Sequence, residues 1–251
     1  MTFKGTTRRK RERLEISLPL RVQCRESIDH EWVEMTRLND VTPFGAGFSI
    51  GHPTEVGRLL HLTLAMPRQL RCFDHAEPQY RVWSLVRYVK PLPKKDGNPP
   101  RYEVGVAFVG KRPPTSFETD PTRRYGVAPT PTEAGLWGLK ENPESDEPRV
   151  IPEKERPETR HHIPVEVVVE ILDDKGEVAA AETTVTENLS RRGAAVFTTL
   201  EVARGRFVRV SSAQYKICVM AAVRARRPGP DGVMRLHLEF LDQTWPLEGF
   251  N

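Results

Sequence analysis

The chain has 251 residues, enough for one large domain or two of ordinary size. Its 38 Lys+Arg against 34 Asp+Glu leave a formal net charge of only +4, which excludes a global field strong enough to coat nucleic acid or an acidic membrane. No stretch approaches the roughly 18 to 20 consecutive apolar residues of a membrane helix, and the basic N-terminus has no apolar run after it, so a cytoplasmic protein without a membrane span is expected.

Read from the N-terminus, Arg8, Arg9, Lys10, Arg11 and Arg13 make a basic arm with little apolar surface, mobile by self-repulsion until an anion orders it. Ile16 to Cys24, Leu59 to Ala65, Val82 to Val89 and Tyr102 to Val109 alternate or are rich in β-branched residues between turn formers, and read as strands. Residues 111–155 are rich in Pro, Thr, Glu and Asp and read as a linker, since they cannot bury enough apolar area to offset their ordering entropy. Within it Phe117, Tyr125, Leu136, Trp137 and Leu139 are anchors for docking on a barrel, and Thr132 to Leu139 is a candidate short helix weakened by Gly135 and Gly138. Strands then return at Val165 to Leu172, Val178 to Thr186, Phe207 to Val210, Ile217 to Ala225 and Met234 to Phe240. Trp245-Pro246-Leu247 is placed to cap the second unit by docking on it.

The two halves repeat one another. Each opens on Arg-x-x-x-Arg before a strand with a Leu-Pro or Ile-Pro step: Arg9 to Arg13 then Leu18-Pro19, and Arg156 to Arg160 then Ile163-Pro164. Each continues with an acid or amide, a hydroxyl two residues on and a glycine three further, as Asp40, Thr42 and Gly45, and as Asn188, Ser190 and Gly193. Each closes with an Asp-Gly turn between alternating strands, at Asp96-Gly97 and Asp231-Gly232, a strong hairpin signal.

These motifs, in this order on an all-β background, resemble the PilZ family. The resemblance implies two six-stranded antiparallel β-barrels in tandem, over residues 8–113 and 156–247, joined by a partly ordered Pro-rich linker at 114–155. It further implies a receptor for the bacterial second messenger cyclic di-GMP, wrapped by the arginine arm against the second motif. The ligand set so implied is Arg8, Arg9, Arg13, Asp40, Thr42 and Gly45 in the first unit, and Arg156, Arg160, Asn188, Ser190 and Gly193 in the second. Arginine suits a ligand with two phosphates and two guanines because its planar, permanently charged fork matches phosphate oxygens and the O6/N7 edge of guanine alike. A change of interdomain arrangement, or of a surface for an unidentified protein partner, is the expected output.

The second arm departs from the first. Measured from the Pro steps, Arg160 stands two residues nearer than Arg13, which implies a shorter second arm, and Pro157 with Glu153, Glu155 and Glu158 makes it stiffer and more acidic. The first unit, with ligand between the Arg9 to Arg13 arm and the Asp40 to Gly45 loop, is therefore the expected site. It carries Thr42 for serine, with Pro43 and Phe44 before the glycine.

Other readings of the same residues stay open. Asp40-Val41-Thr42 and Asn188-Leu189-Ser190 also fit side-chain-capped turns, which needs no ligand. A scaffold of the same fold that mediates protein–protein contacts without nucleotide is the rival function. Nucleic acid is not an expected partner, since only the basic arm favours it. No Gly-x-Ser-x-Gly or His-Glu-x-x-His pattern supports an enzyme. Cys24, Cys72 and Cys218 lack CxxC spacing, and His161-His162 stands apart from any second ligand pair, so neither disulfide, metal nor cofactor is expected.

Overall fold

The computed structural model describes residues 14–93, 99–128, 132, 136–141 and 159–247. Arg8, Arg9, Arg13 and Arg156, and the Asp96-Gly97 turn, lie outside the described residues.

β1 (Pro19–Arg25), β2 (Glu31–Thr42), β3 (Gly45–Ile50), β4 (Leu59–Leu64), β5 (Tyr80–Pro91) and β6 (Tyr102–Gly110) close into one antiparallel barrel in the order β1-β2-β3-β6-β5-β4. The period of two along each strand fixes what is inside. On β1, Leu20, Val22 and Cys24 are buried in the core while Arg21, Gln23 and Arg25 face outward. Phe48, Leu62, Val82 and Val104 meet them from the other strands, each such burial contributing about 1.5–3 kcal/mol. Burial pushes the Cys24 thiol well above its ordinary range.

The following segment has structure of its own. A short helix, α1 (Thr115–Thr119), buries Phe117, and the strands β7 (Tyr125–Val127) and β8 (Leu139–Glu141) pair with one another. Phe117 and Tyr125 pack on Leu59, Leu85 and Val109, so the linker anchors dock on the outside of the first barrel. The candidate helix over Thr132 to Leu139 does not form among the described residues there: Leu136 and Thr132 bond through a turn, and Leu139 begins β8. Gly138 favours the extended path.

β9 (Glu166–Leu172), β10 (Val178–Ser190), β11 (Gly193–Phe197), β12 (Phe207–Ser212), β13 (Ile217–Pro228) and β14 (Met234–Phe240) form a second closed barrel, in the order β10-β11-β14-β13-β12-β9. Going round it gives the same connectivity as the first. The Asp231-Gly232 turn joins β13 to β14, with Gly232 at φ 76° and Val233 N donating to Asp231 Oδ1 at 3.1 Å. Trp245 is 1 % exposed and stacks on Phe240, so the Trp245-Pro246-Leu247 segment docks on the second core. The description is all-β apart from α1 and a 3₁₀ turn at Arg68–Leu70. No helix among the described residues is long and apolar enough to cross a membrane.

The barrels pack together. Phe207, Met220 and Ala222 of the second join the core cluster of the first. Arg58, 0 % exposed, spans the junction: its Nη1 donates to the Glu26 carbonyl at 3.2 Å, and its Nη2 to Glu55 Oε1 at 2.8 Å and to the Gly205 carbonyl at 3.1 Å. Its guanidinium lies 5.0 Å over the Phe207 ring.

Candidate functional site

The register lets the two barrels be superposed residue by residue. Thr42 pairs with Gly45 and Ser190 with Gly193; next along, Asp40 pairs with Gly47 and Asn188 with Ala195. In both, the register slips just before the acid or amide, between Leu38 and Asp40 and between Thr186 and Asn188, a bulge of the kind that re-aims a side chain.

Within this frame the hydroxyl and the glycine do structural work. Thr42 Oγ1 donates to the Gly45 carbonyl and Ser190 Oγ to the Gly193 carbonyl, both at 3.3 Å, which closes each turn. A Cβ on Gly45 or Gly193 would collide with the carbonyl oxygen of Val106 or Leu238 on the next strand, so only glycine lets the strands approach. The capped-turn reading is thus a property of both loops, whatever else they do.

The arms enter in matching fashion. Leu14 bridges Val41, and His161 bridges Leu189, each through a reciprocal pair of backbone hydrogen bonds. Leu38 N then donates to the Leu18 carbonyl, and Thr186 N to the Val165 carbonyl. The same number of residues separates Leu14 from Leu18 as separates His161 from Val165, so Arg13 and Arg160 occupy equivalent places in the chain. The expectation of a shorter second arm is corrected: Leu18-Pro19 corresponds to Val165-Glu166, and the two Pro steps are not equivalent. Proline was a false landmark because it is tolerated both at a strand's first residue and before it.

In the second barrel the two motifs meet. Arg160 Nη1 donates to Asn188 Oδ1 at 3.1 Å, across 28 residues of sequence. Continuing over the outer face, Asn188 on β10 neighbours Ala195 on β11, which pairs with His237 on β14, which pairs with Ala225 on β13. The alternation is clear on β14, where Leu236 and Leu238 enter the core and His237 stays outside. Arg227 Nε donates to His237 Nε2 at 3.2 Å. Burial, then the charges of Arg227 and Arg160, push His237 down to about 4. Arg235, by contrast, is spent on the barrel: it holds Glu187 at 2.7 Å and Asp231 at 2.6 Å, and lies over the Phe197 ring.

The corresponding row of the first barrel is Asp40, Gly47, Gly105 and Tyr88. A Cβ on Gly47 would stand 2.8 Å from Asp40 Oδ2, and one on Gly105 would collide with the Tyr88 ring. The ring therefore covers Gly105, with its hydroxyl donating to Glu103 Oε1 at 2.8 Å.

Beside Gly193 a charge network leads to the other barrel. Glu239, paired with Gly193, accepts from Arg224 Nε at 2.7 Å and from Arg124 Nη2 at 2.8 Å. Both arginines also contact Glu55, the partner of Arg58 in the junction. Glu55 is 5 % exposed, so three guanidinium groups converge on one desolvated carboxylate. No group of three or more His, Cys, Asp or Glu suited to a metal occurs among the described residues.

Residues 153–245 match the family model for the PilZ domain. The matched segment takes in the whole second barrel. Among solved structures, the two barrels together align with the Bacillus subtilis inhibitor of motility MotI/DgrA at 13 % identity, over 92 % of this chain and 90 % of that one, with a TM-score of 0.29. They also align with the Borreliella burgdorferi PlzA protein in complex with c-di-GMP, at 10 % identity over 95 % and 90 % with a TM-score of 0.29. YcgR from Escherichia coli, also in complex with c-di-GMP, aligns at 13 % identity over 90 % and 76 % with a TM-score of 0.28. No curated protein matches the chain.

Arg227 and His237 stand outside both motifs and so are not among the residues expected from the sequence. Their signal lay in the hairpin: alternation in Leu236-His237-Leu238 puts the histidine on the outer face, and superposing the halves sets it against Gly105.

Proposed function

We propose that the chain is a cyclic di-GMP receptor whose ligand is held on the outer face of the second barrel, by the Arg156 and Arg160 arm against the loop of Asn188, Ser190 and Gly193. The observation that carries this reading is the Arg160–Asn188 hydrogen bond, which joins the two motifs on the barrel that matches the PilZ family. In this reading Asn188 and the forked guanidinium groups contact guanine edges and phosphates. Ser190 and Gly193 keep the loop in shape. Binding needs no chemical conversion, and its output is a shift in the Glu239–Arg224–Glu55 network that ties the site to the first barrel.

The set Arg8, Arg9, Arg13, Asp40, Thr42 and Gly45 is the counterpart on the first barrel. There a specific observation favours the scaffold reading: the Tyr88 ring occupies the outer face at Gly105. We therefore assign the first barrel to docking, on the second barrel and on an unidentified protein partner.

Titration calorimetry with cyclic di-GMP tests the proposal. One equivalent is expected to bind, weakened at least about 30-fold by Arg160→Ala, since removing one side of a buried charged contact typically costs about 2–5 kcal/mol. Arg160→Lys is expected to recover little, because it keeps the charge and loses the fork. Absence of heat at high ligand concentration leaves the scaffold function alone.

A further inference from the structure

His237 is arranged for one protonation state. Because the Arg227 Nε–H donates to its Nε2, that ring nitrogen is an acceptor and carries no proton. The charged groups facing the ring are Arg227 from β13, Arg160 from the arm, Arg235 from its own strand and Glu187 from β10. Three cations thus oppose one carboxylate, and that carboxylate is already bonded to Arg235 at 2.7 Å. The β11 neighbour is Ala195, which brings no charge. A positive charge on the ring is therefore disfavoured until an anion arrives.

We propose that Arg227 and His237 form an anion-receiving pair next to the Arg160–Asn188 contact, and that His237 takes up a proton when a phosphate of the ligand settles on them. The inference rests on the receptor reading of the same face. A phosphate oxygen accepts the Arg227 Nε–H now given to the ring, which frees Nε2. The same negative charge offsets the guanidinium groups that hold the ring neutral. Solvent supplies the proton, Nε2 gains it, and no other bond forms or breaks. The sign follows: the ring binds its proton more tightly in the complex than in the free protein, so affinity rises as pH falls and is flat above the complex's own titration.

Calorimetry on the full chain with cyclic di-GMP, from about pH 5.5 to about pH 8 in paired buffers of different ionisation enthalpy, reads this directly. Expected are net uptake approaching one proton per ligand at the acid end and affinity falling by up to about tenfold per pH unit as the ring titrates. His237→Gln should abolish the uptake and flatten the pH profile. Ligand that binds equally at every pH without proton uptake overturns the proposal and leaves the receptor reading standing. So does uptake that persists in His237→Gln. No heat at any pH overturns both readings together.

Discussion

In the first barrel an aromatic ring covers Gly105; at the corresponding place in the second, His237 stands between two alanines with an arginine on one of its nitrogens. The backbones around these positions agree in register, bulge and turn, and the inward residues are apolar in both. What differs is the outer face. Closing a six-stranded barrel constrains the inside and the glycine that lets neighbouring strands touch, and leaves the outside free to diverge. A motif built partly from loop-closing residues can therefore persist on structural grounds alone. That is why two motif matches do not imply two sites.

The strongest way to break the comparison is at the junction, where equivalent arginines have unequal burial. Arg58 follows Gly57 at φ 91°, and Arg206 follows Gly205 at φ 84°. Arg58 is wholly buried against Glu55, whereas the Arg206 side chain keeps 12 % of its surface exposed, caps the Leu172 carbonyl and lies 4.0 Å from Glu26. Arg58→Ala removes a charge that Glu55 depends on out of water, and is expected to cost about 3–5 kcal/mol, read from the urea midpoint. Arg206→Ala is expected to cost less than about half as much. Equal losses would show that burial does not separate the two positions.

A smaller change carries the surface of one barrel onto the other. Ala225→Tyr puts a ring where Tyr88 stands in the first barrel, next to His237. It should weaken cyclic di-GMP binding at least about tenfold, about 1.4 kcal/mol, because the ring covers the phosphate-receiving side. Stability should move by less than about 0.5 kcal/mol, since the position is on the outer face. Full-strength binding in that variant would place the ligand elsewhere on the barrel.

Most of the fold was legible because strands, turns and the repeat all carry period-two or Gly-marked signals. β2 was one exception, beside the short elements α1, β7 and β8 inside the segment that reads as a linker. It buries Trp32 and Leu38 but exposes Val33 at 43 % and Met35 at 66 %, so apolar residues fall on both faces and the alternation is blurred. The candidate site was legible only as far as local motifs reach. Asn188, Ser190 and Gly193 lie within six residues and stand out. Arg227 and His237 come from a hairpin some forty residues further on, and only cross-strand pairing brings them to the same face. The arm was misjudged because its landmark was a proline, when the informative positions were the bridge residues Leu14 and His161, ordinary in composition and special only in pairing.

The gentlest test removes the ring from the first barrel. Tyr88→Ala bares Gly105 and gives up a cross-strand contact and the hydrogen bond to Glu103, so a loss of about 0.5–1 kcal/mol in unfolding free energy is expected. Ligand stoichiometry should stay at one, because the face beneath the ring offers Gly47 and Gly105 where the second barrel offers Ala195 and His237, and has no counterpart of the Arg227–His237 pair. Lys90 holds the position of Arg227, and an ammonium cannot make the same fork. Appearance of a second equivalent in Tyr88→Ala would give the ring a different meaning: a plug over a competent site, with the first barrel a receptor held shut by its own tyrosine.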